Sequence, residues 1–288
     1  IGIWRMKDES RIVDDLPADN PVLTDLRFFE ANFRGVMPLE VEIDTRKKGG
    51  VFTDAVLRRI DRLEDTLATY PQFSRSISIV DAVKFTKQAF YGGDPGRYEL
   101  LNNTEKPFIL PYIEGARDKE GMARGFLDST RQTTRLTVQM ADVGTTRMEP
   151  LLAKLRTQVD SLFNPERYTV TLTGTCVTFL KGSSYLVSNL ITSLFWAVVI
   201  IVALMAFLFN SMRILIVALI PNIIPLLFTA GLMGFFGIPI KPSTMLVFGI
   251  ALGIAVDNAI HFLARYRLEL KLTNNDLRAS VDLATREV

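Results

Sequence analysis

The sequence predicts an α+β domain of the ferredoxin-like, split βαβ type, followed by a segment of α-helical transmembrane bundle. Three observations carry that class. Charged residues make up 22% of the 288, yet residues 182–212, 214–240 and 242–256 contain almost none, with Arg213 and Lys241 standing between the runs. Each uncharged run has room for the roughly 20 residues that cross a hydrocarbon core of about 30 Å. Residues 1–181 are polar and mixed, and they hold two strand–helix–strand patterns in succession. The third apolar run ends on Asp257 and His261, the only histidine. A carboxylate at the centre of a spanning helix costs about 2.5–3.5 kcal/mol, so an ionisable group there marks a relay, pathway or binding site.

The elements follow in chain order. Asp14, Asp15 and Asp19 lie near Pro17 and Pro21 and read as a solvated turn rather than a cation site. Leu39–Ile43 (LEVEI) alternates as a half-buried strand. Phe52–Leu67 follows as an amphipathic helix, with Val56, Leu57, Ile60, Leu63 and Leu67 at helical spacing. Pro71 ends it, and Arg75–Ile79 is expected as a short strand. Val80–Phe90 is helical, and residues 92–96 (GGDPG) form a turn that lacks the strand–turn–helix setting of a phosphate loop. Leu100–Gly115 reads as a loop with a short helix. The second unit repeats the pattern: strand Thr134–Met140, helix Met148–Leu162, strand Tyr168–Leu172 ending at Gly174.

Three spans follow, at about 185–209, 214–236 and 243–264, and residues 269–288 form an amphipathic segment leading to a further helix. Arg213 lies in the loop between the first two spans, and Arg265, Arg267 and Lys271 follow the third. Positive flanks face the cytoplasm, which places residues 1–181 and the 237–241 loop outside. Lys181 and Lys241 on the outer side weaken that bias. The second span carries Pro221, Asn222 and Pro225. Each proline removes a helical donor and crowds the preceding turn, so a bent or broken helix is expected.

Gly249, Gly253, Asp257 and His261 recur every four residues on the third span. Four residues advance 400°, so the row winds slowly along one side. The glycines permit close approach of another helix, which predicts that the charged side is pressed into a bundle. Asn258 sits one step around, able to donate or accept. Asp257 lies eight residues before Arg265, about 12 Å at 1.5 Å per residue. That depth puts it inside the core yet within relay distance of the cytoplasmic edge, where His261 either passes protons or serves structurally through a hydrogen bond at headgroup level. The competing reading is a packing carboxylate paired with a neighbouring Lys or Arg. Sodium coordination needs more converging oxygens than Asp257 and Asn258 supply.

Other classes find little support. The net charge is +2 with no basic cluster, which disfavours nucleic acid. Cys176 is the only cysteine, which excludes an intramolecular disulfide and a cysteine-built metal site. No GxxxxGK[ST] phosphate loop, nucleophile–base set or metal constellation is present, so neither an enzyme nor a cofactor is expected. The chain opens at Ile1 and closes at Val288 in a helix-like stretch, and the expectation is a fragment.

These motifs resemble a known family. GIAVDNAIH, with Gly253, Asp257 and His261, is similar to the fourth transmembrane helix of the resistance–nodulation–division superfamily, in the large membrane protein (MMPL) branch related to Patched, Dispatched and the sterol-sensing proteins. IPNIIP, with Pro221, Asn222 and Pro225, resembles the third helix. DNPV at Asp19, FFE at Phe28, DAV at Asp81 and GGDP at Gly92 resemble the first large extracytoplasmic loop of bacterial members. The resemblance implies a porter-like outer domain over residues 1–181, then helices two, three and four in the plasma (inner) membrane. The first helix and the whole second repeat of the same polypeptide are then missing partners. It implies proton-driven export or relocation of lipids or other amphiphiles, with Asp257 the protonatable residue. Where the drug-efflux branch often has two adjacent acids, this chain has Asn258, which weighs against drug and metal efflux. A homo-oligomer or periplasmic proteins are the further partners implied. The alternative is a sterol- or lipid-sensing or scaffolding protein without active transport.

Overall fold

A computed structural model describes residues 9–12, 16–17, 19–115, 125–209, 212–274 and 276–287. The aspartate pair Asp14–Asp15 lies outside the described residues. Two compact units divide the chain, one of Arg11–Lys181 and one that includes Gly182–Val288.

The first unit opens with α1 (Pro21–Phe33), which no apolar periodicity announces. Its signal is local: the Asn20 side chain accepts from Val22 N–H as the N-cap, and Pro21 stands in the first turn, where its missing donor costs nothing. β1 (Met37–Asp44), β2 (Thr133–Met140) and β3 (Thr169–Thr173) form an antiparallel sheet in the order β2-β1-β3. β1 alternates strictly, with Met37, Leu39, Val41 and Ile43 fully buried and Glu40 and Glu42 on the other face. The buried face meets α2 (Asp54–Ala68) through Val56, Leu57, Ile60, Leu63 and Leu67. It meets α5 (Thr145–Leu162) through Met148, Leu155 and Val159, in the same core.

The expected strand Arg75–Ile79 does not form. Phe73 and Ile77 make only isolated antiparallel bridges, to Met140 and Thr137. Four steps on this segment oppose three on β2, so it carries one extra residue, a bulge. Ser74 Oγ accepts from Gln139 N–H there, which breaks the backbone ladder. Ser78 then caps α3 (Ile79–Phe90): its hydroxyl accepts from Val80 N–H while Asp81 accepts from Ser78 N–H. A capping box started at Ser78 takes Ile79 out of any strand. Residues 92–93 turn with positive φ, and Asp94 caps the following 3-10 turn through Gly96 N–H, a turn as expected. α4 (Lys106–Gly115) packs on α3.

Gly174 joins β3 to the next helix with φ +97°, where a Cβ would stand 2.5 Å from the Pro38 carbonyl oxygen. Only glycine fits. α6 (Thr175–Phe209) starts at once, ten residues ahead of the expected span. Its first turn belongs to the sheet's core: buried Cys176 places its sulfur 3.3 Å from that of Met140 and 3.6 Å from that of Met148.

In the second unit, α6, α7 (Met212–Phe236) and α8 (Pro242–Leu272) are long and apolar enough to cross a membrane. They touch through Met205, Ala218 and Leu263, with Ile201, Val202 and Ile260 around them. Most of their large apolar side chains are exposed within the chain, Phe195, Trp196, Phe207 and Phe228 among them. That surface suits hydrocarbon rather than water. α7 runs unbroken through Pro221 and Pro225, contrary to the broken alternative expected. Asn222 Nδ2 donates to the Ala218 carbonyl 3.1 Å away, one turn back, beside the first proline's gap in the backbone ladder. α9 (Leu277–Glu287) folds against the end of α8, where the Thr273 and Ser280 hydroxyls lie 2.7 Å apart and Ser280 and Ala284 are fully buried.

Candidate functional site

α8 is 31 residues long, about 46 Å at 1.5 Å per residue, which exceeds the hydrocarbon core. Its buried stripe is Met245, Leu252, Val256 and Leu263, at spacings of seven, four and seven. Asp257 sits about 100–140° around the helix from the members of that stripe. Its side chain is 70% exposed and that of His261 71%. His261 Nε2 lies 3.5 Å from Asp257 Oδ1, one turn apart, so the two face each other along the axis. A small rotamer change closes that gap to proton-transfer range, as catalytic hydrogen bonds often require.

The rest of the row takes the same exposed side. A Cβ added at Gly249 or Gly253 meets nothing within 4 Å. The expected burial of this face against a neighbouring helix is therefore not provided by the described residues of this chain. Asn258 is exposed, about 100° from Asp257, and does not join the Asp257–His261 pair. Pro221 and Pro225 sit within α7, Pro221 exposed and Pro225 likewise turned outward, and Asn222 spends its donor on its own helix.

Three further residues, Arg265, Glu269 and Thr273, continue the four-residue series although spacing alone does not single them out. Arg265 Nη2 pairs with Glu269 Oε1 at 2.6 Å, and the Glu269 side chain is only 7% exposed. The Thr273 hydroxyl donates to the Glu269 carbonyl. Asp257, His261, Arg265, Glu269 and Thr273 thus recur every four residues from the span to the α8–α9 corner, as two contacting groups on a slowly winding row. The burial of Glu269 arises from α9 folding back, which no local pattern announces.

A second polar cluster, of which the sequence motifs mark only Asp81, lies in the Arg11–Lys181 unit. Asp81 accepts from Tyr98 Oη at 2.7 Å and from Arg75 Nη2 at 3.1 Å. Lys84 pairs with Asp61. Burial pushes the Glu64 carboxyl up to about 8, against the Ser78 hydroxyl and with the Asp81 charge adding to the rise. Among the described residues Glu64 Oε1 has no hydrogen-bond partner. Burial, then the hydrogen bond to Asp81, pushes Tyr98 up to about 12. This cluster borders a cavity of about 370 Å³, lined by Ile77, Ala82, Phe85 and Phe126 and by the polar Arg75, Ser78, Asp81 and Tyr98. Among the described residues no three His, Cys, Asp or Glu side chains gather to hold a metal ion.

The match that decides the family covers nearly the whole chain: the MMPL family aligns over residues 17–286. The chain belongs to the MMPL family. MMPL proteins are membrane transporters rather than enzymes, and the three apolar helices make this chain a multi-pass membrane protein. No individually curated protein matches it.

Proposed function

We propose that this MMPL chain serves proton-motive-force-driven export or relocation of lipids or other amphiphiles, with Asp257 as the proton-binding group. The observation that carries the reading is the Asp257–His261 pair, one turn apart on an otherwise apolar spanning helix. The insertion cost of that carboxylate is reasonable only if the group works. The family match supports transport, and the lipid class rests on the resemblance of the Asp257–Asn258 motif to the lipid-handling branch.

In this reading residues 1–181 form an extracytoplasmic, porter-like domain of ferredoxin-like type. The order β2-β1-β3, with the bulged Phe73–Ile77 segment beside β2, favours that assignment. Residues 182–268 supply three helices of the bundle, and residues 269–288 lie in the cytoplasm. Protonation of Asp257 removes its charge and alters its pairing across the bundle. His261 then passes the proton toward the inner edge, and Asn258, on the neighbouring face, is available to a helix that packs there. Gly249 and Gly253 admit a helix from outside this chain, and the Pro221–Pro225 segment of α7 bends as the helices shift. One charge crossing the membrane contributes about 2.3 kcal/mol per 100 mV, enough to bias a two-state equilibrium without a nucleotide.

The test uses the full-length protein in proteoliposomes under an imposed pH gradient, with a panel of labelled lipids. Asp257→Asn should abolish gradient-dependent lipid movement while the protein stays folded. Undiminished movement removes Asp257 from energy coupling. Lipid binding without gradient-dependent movement in either protein favours the sensing or scaffolding alternative.

A further inference from the structure

The cavity on the outer unit is built like an amphiphile site. Its floor is apolar: Ala82 and Phe85 come from α3, Ile77 from the bulged sheet edge and Phe126 from the approach to β2. Ile77 and Phe85 are 53% and 52% exposed, and large apolar side chains open to water around a shaped hollow are a binding feature rather than a packing one. Its volume, about 370 Å³, falls within the usual range of small-molecule pockets, roughly 300–1,000 Å³.

The polar wall pairs one carboxylate, Asp81, with one cation, Arg75. The Asp81 carboxylate is turned inward and engaged by Tyr98, Arg75 and the Ser78 N–H. Lys84 is engaged by Asp61. Arg75 is different: its side chain is 76% exposed, and among the described residues its Nη2 alone is used, on Asp81 and Tyr98. Arginine carries five donors in a planar fork. Nε and Nη1 therefore remain to meet an incoming oxyanion, the geometry for which arginine is suited.

We infer that this cavity binds a single-chain anionic amphiphile, its hydrocarbon tail on Ile77, Ala82, Phe85 and Phe126 and its carboxylate or phosphate head on Arg75. The inference deepens the lipid-handling reading, since it supplies that reading with an entry site on the outer domain.

The experiment is photo-crosslinking of the full-length protein in nanodiscs, without a pH gradient, followed by peptide mapping. The probes are a diazirine-bearing long-chain alkyl carboxylate, the matching alkyl phosphate and the matching alcohol. At least one anion should label peptides carrying Phe85 or Phe126, and the alcohol should label them about tenfold less. Arg75→Gln should weaken anion labelling about tenfold and leave the alcohol unchanged, as loss of a charge-assisted bond predicts. Ala82→Trp should block all three by filling the hollow. A second variant, Ile77→Ser, guards against misfolding at position 82 and should lower labelling by all three probes. Labelling by one anion alone supports the inference and identifies the head chemistry. Labelling confined to the spanning helices, or equal labelling by anion and alcohol, overturns it. Because no gradient is applied, this failure is separable from that of the transport reading: a labelled cavity with Asp257-independent transport sinks only the latter.

Discussion

Lys87 shows how strictly single residues are held in the Arg11–Lys181 unit. Its side chain is 2% exposed, with Nζ 2.8 Å from Glu105 and 2.9 Å from Glu99. Burial alone lowers the pKa of its ammonium, but the two carboxylates outweigh it and hold the charge. Lys87→Met leaves Glu105 buried without its cation, which costs about 3–5 kcal/mol. The expected result is a large fall in melting temperature of the purified protein, part of which returns when Glu105→Gln is added. Glu64 gives the opposite case. The folded state holds its proton up to about pH 8, whereas the unfolded chain releases it near 4.5. Between those values the folded state binds more protons, so the stability Glu64 contributes is complete below pH 4.5 and declines as pH rises through 8. Glu64→Gln should therefore leave the melting temperature near pH ~5 almost unchanged and raise it by several degrees near pH ~8.5. An equal shift at both values contradicts the assignment. Neither site is legible in the sequence. Lys87 and Glu64 look like the solvated faces of amphipathic helices, and only the packing of α3 against α2 and α4 buries them.

At the scale of elements, periodic signals carry far and local ones less so. The helices at Phe52–Leu67 and Met148–Leu162 are readable because each presents an apolar stripe to the sheet. The Arg75–Ile79 stretch misleads because its β-like residues sit on a bulge and are overruled by the Ser78 capping box. α1 is hard to read because its apolar residues, Phe28, Phe29 and Phe33, are exposed and mark no core-facing stripe. Gly174 reads only as a strand end, while its backbone shows why α6 can start there. Gly174→Ala forces a Cβ against the Pro38 carbonyl in a left-handed conformation. It should destabilise the α+β unit by about 2 kcal/mol or more, seen as enhanced proteolysis between β3 and α6. On α7, Pro221→Ala with Pro225→Ala restores two backbone bonds. It should preserve or raise thermal stability while slowing transport. Unaltered transport would show that the prolines are not a hinge.

For the whole molecule, the partition into a polar α+β unit and three apolar helices is written in the charge distribution alone. The candidate proton site is equally visible, because an Asp and the only His one turn apart inside an apolar run cost too much to insert for anchoring alone. The environment of that pair is not visible in the same way. Asp257 and His261 lie on a side of α8 that the described residues leave uncovered, whereas the Arg265–Glu269 pair further along the helix is largely buried. The central claim is that Asp257 couples proton movement to amphiphile movement. The most direct measurement is proton uptake by proteoliposomes of the full-length protein, recorded by an internal pH dye with and without lipid substrate, in wild type and Asp257→Asn. The account predicts substrate-stimulated uptake in wild type and its loss in the variant, by about tenfold or more, the effect of about 1.4 kcal/mol on the coupled step. Equal uptake in both proteins would contradict it.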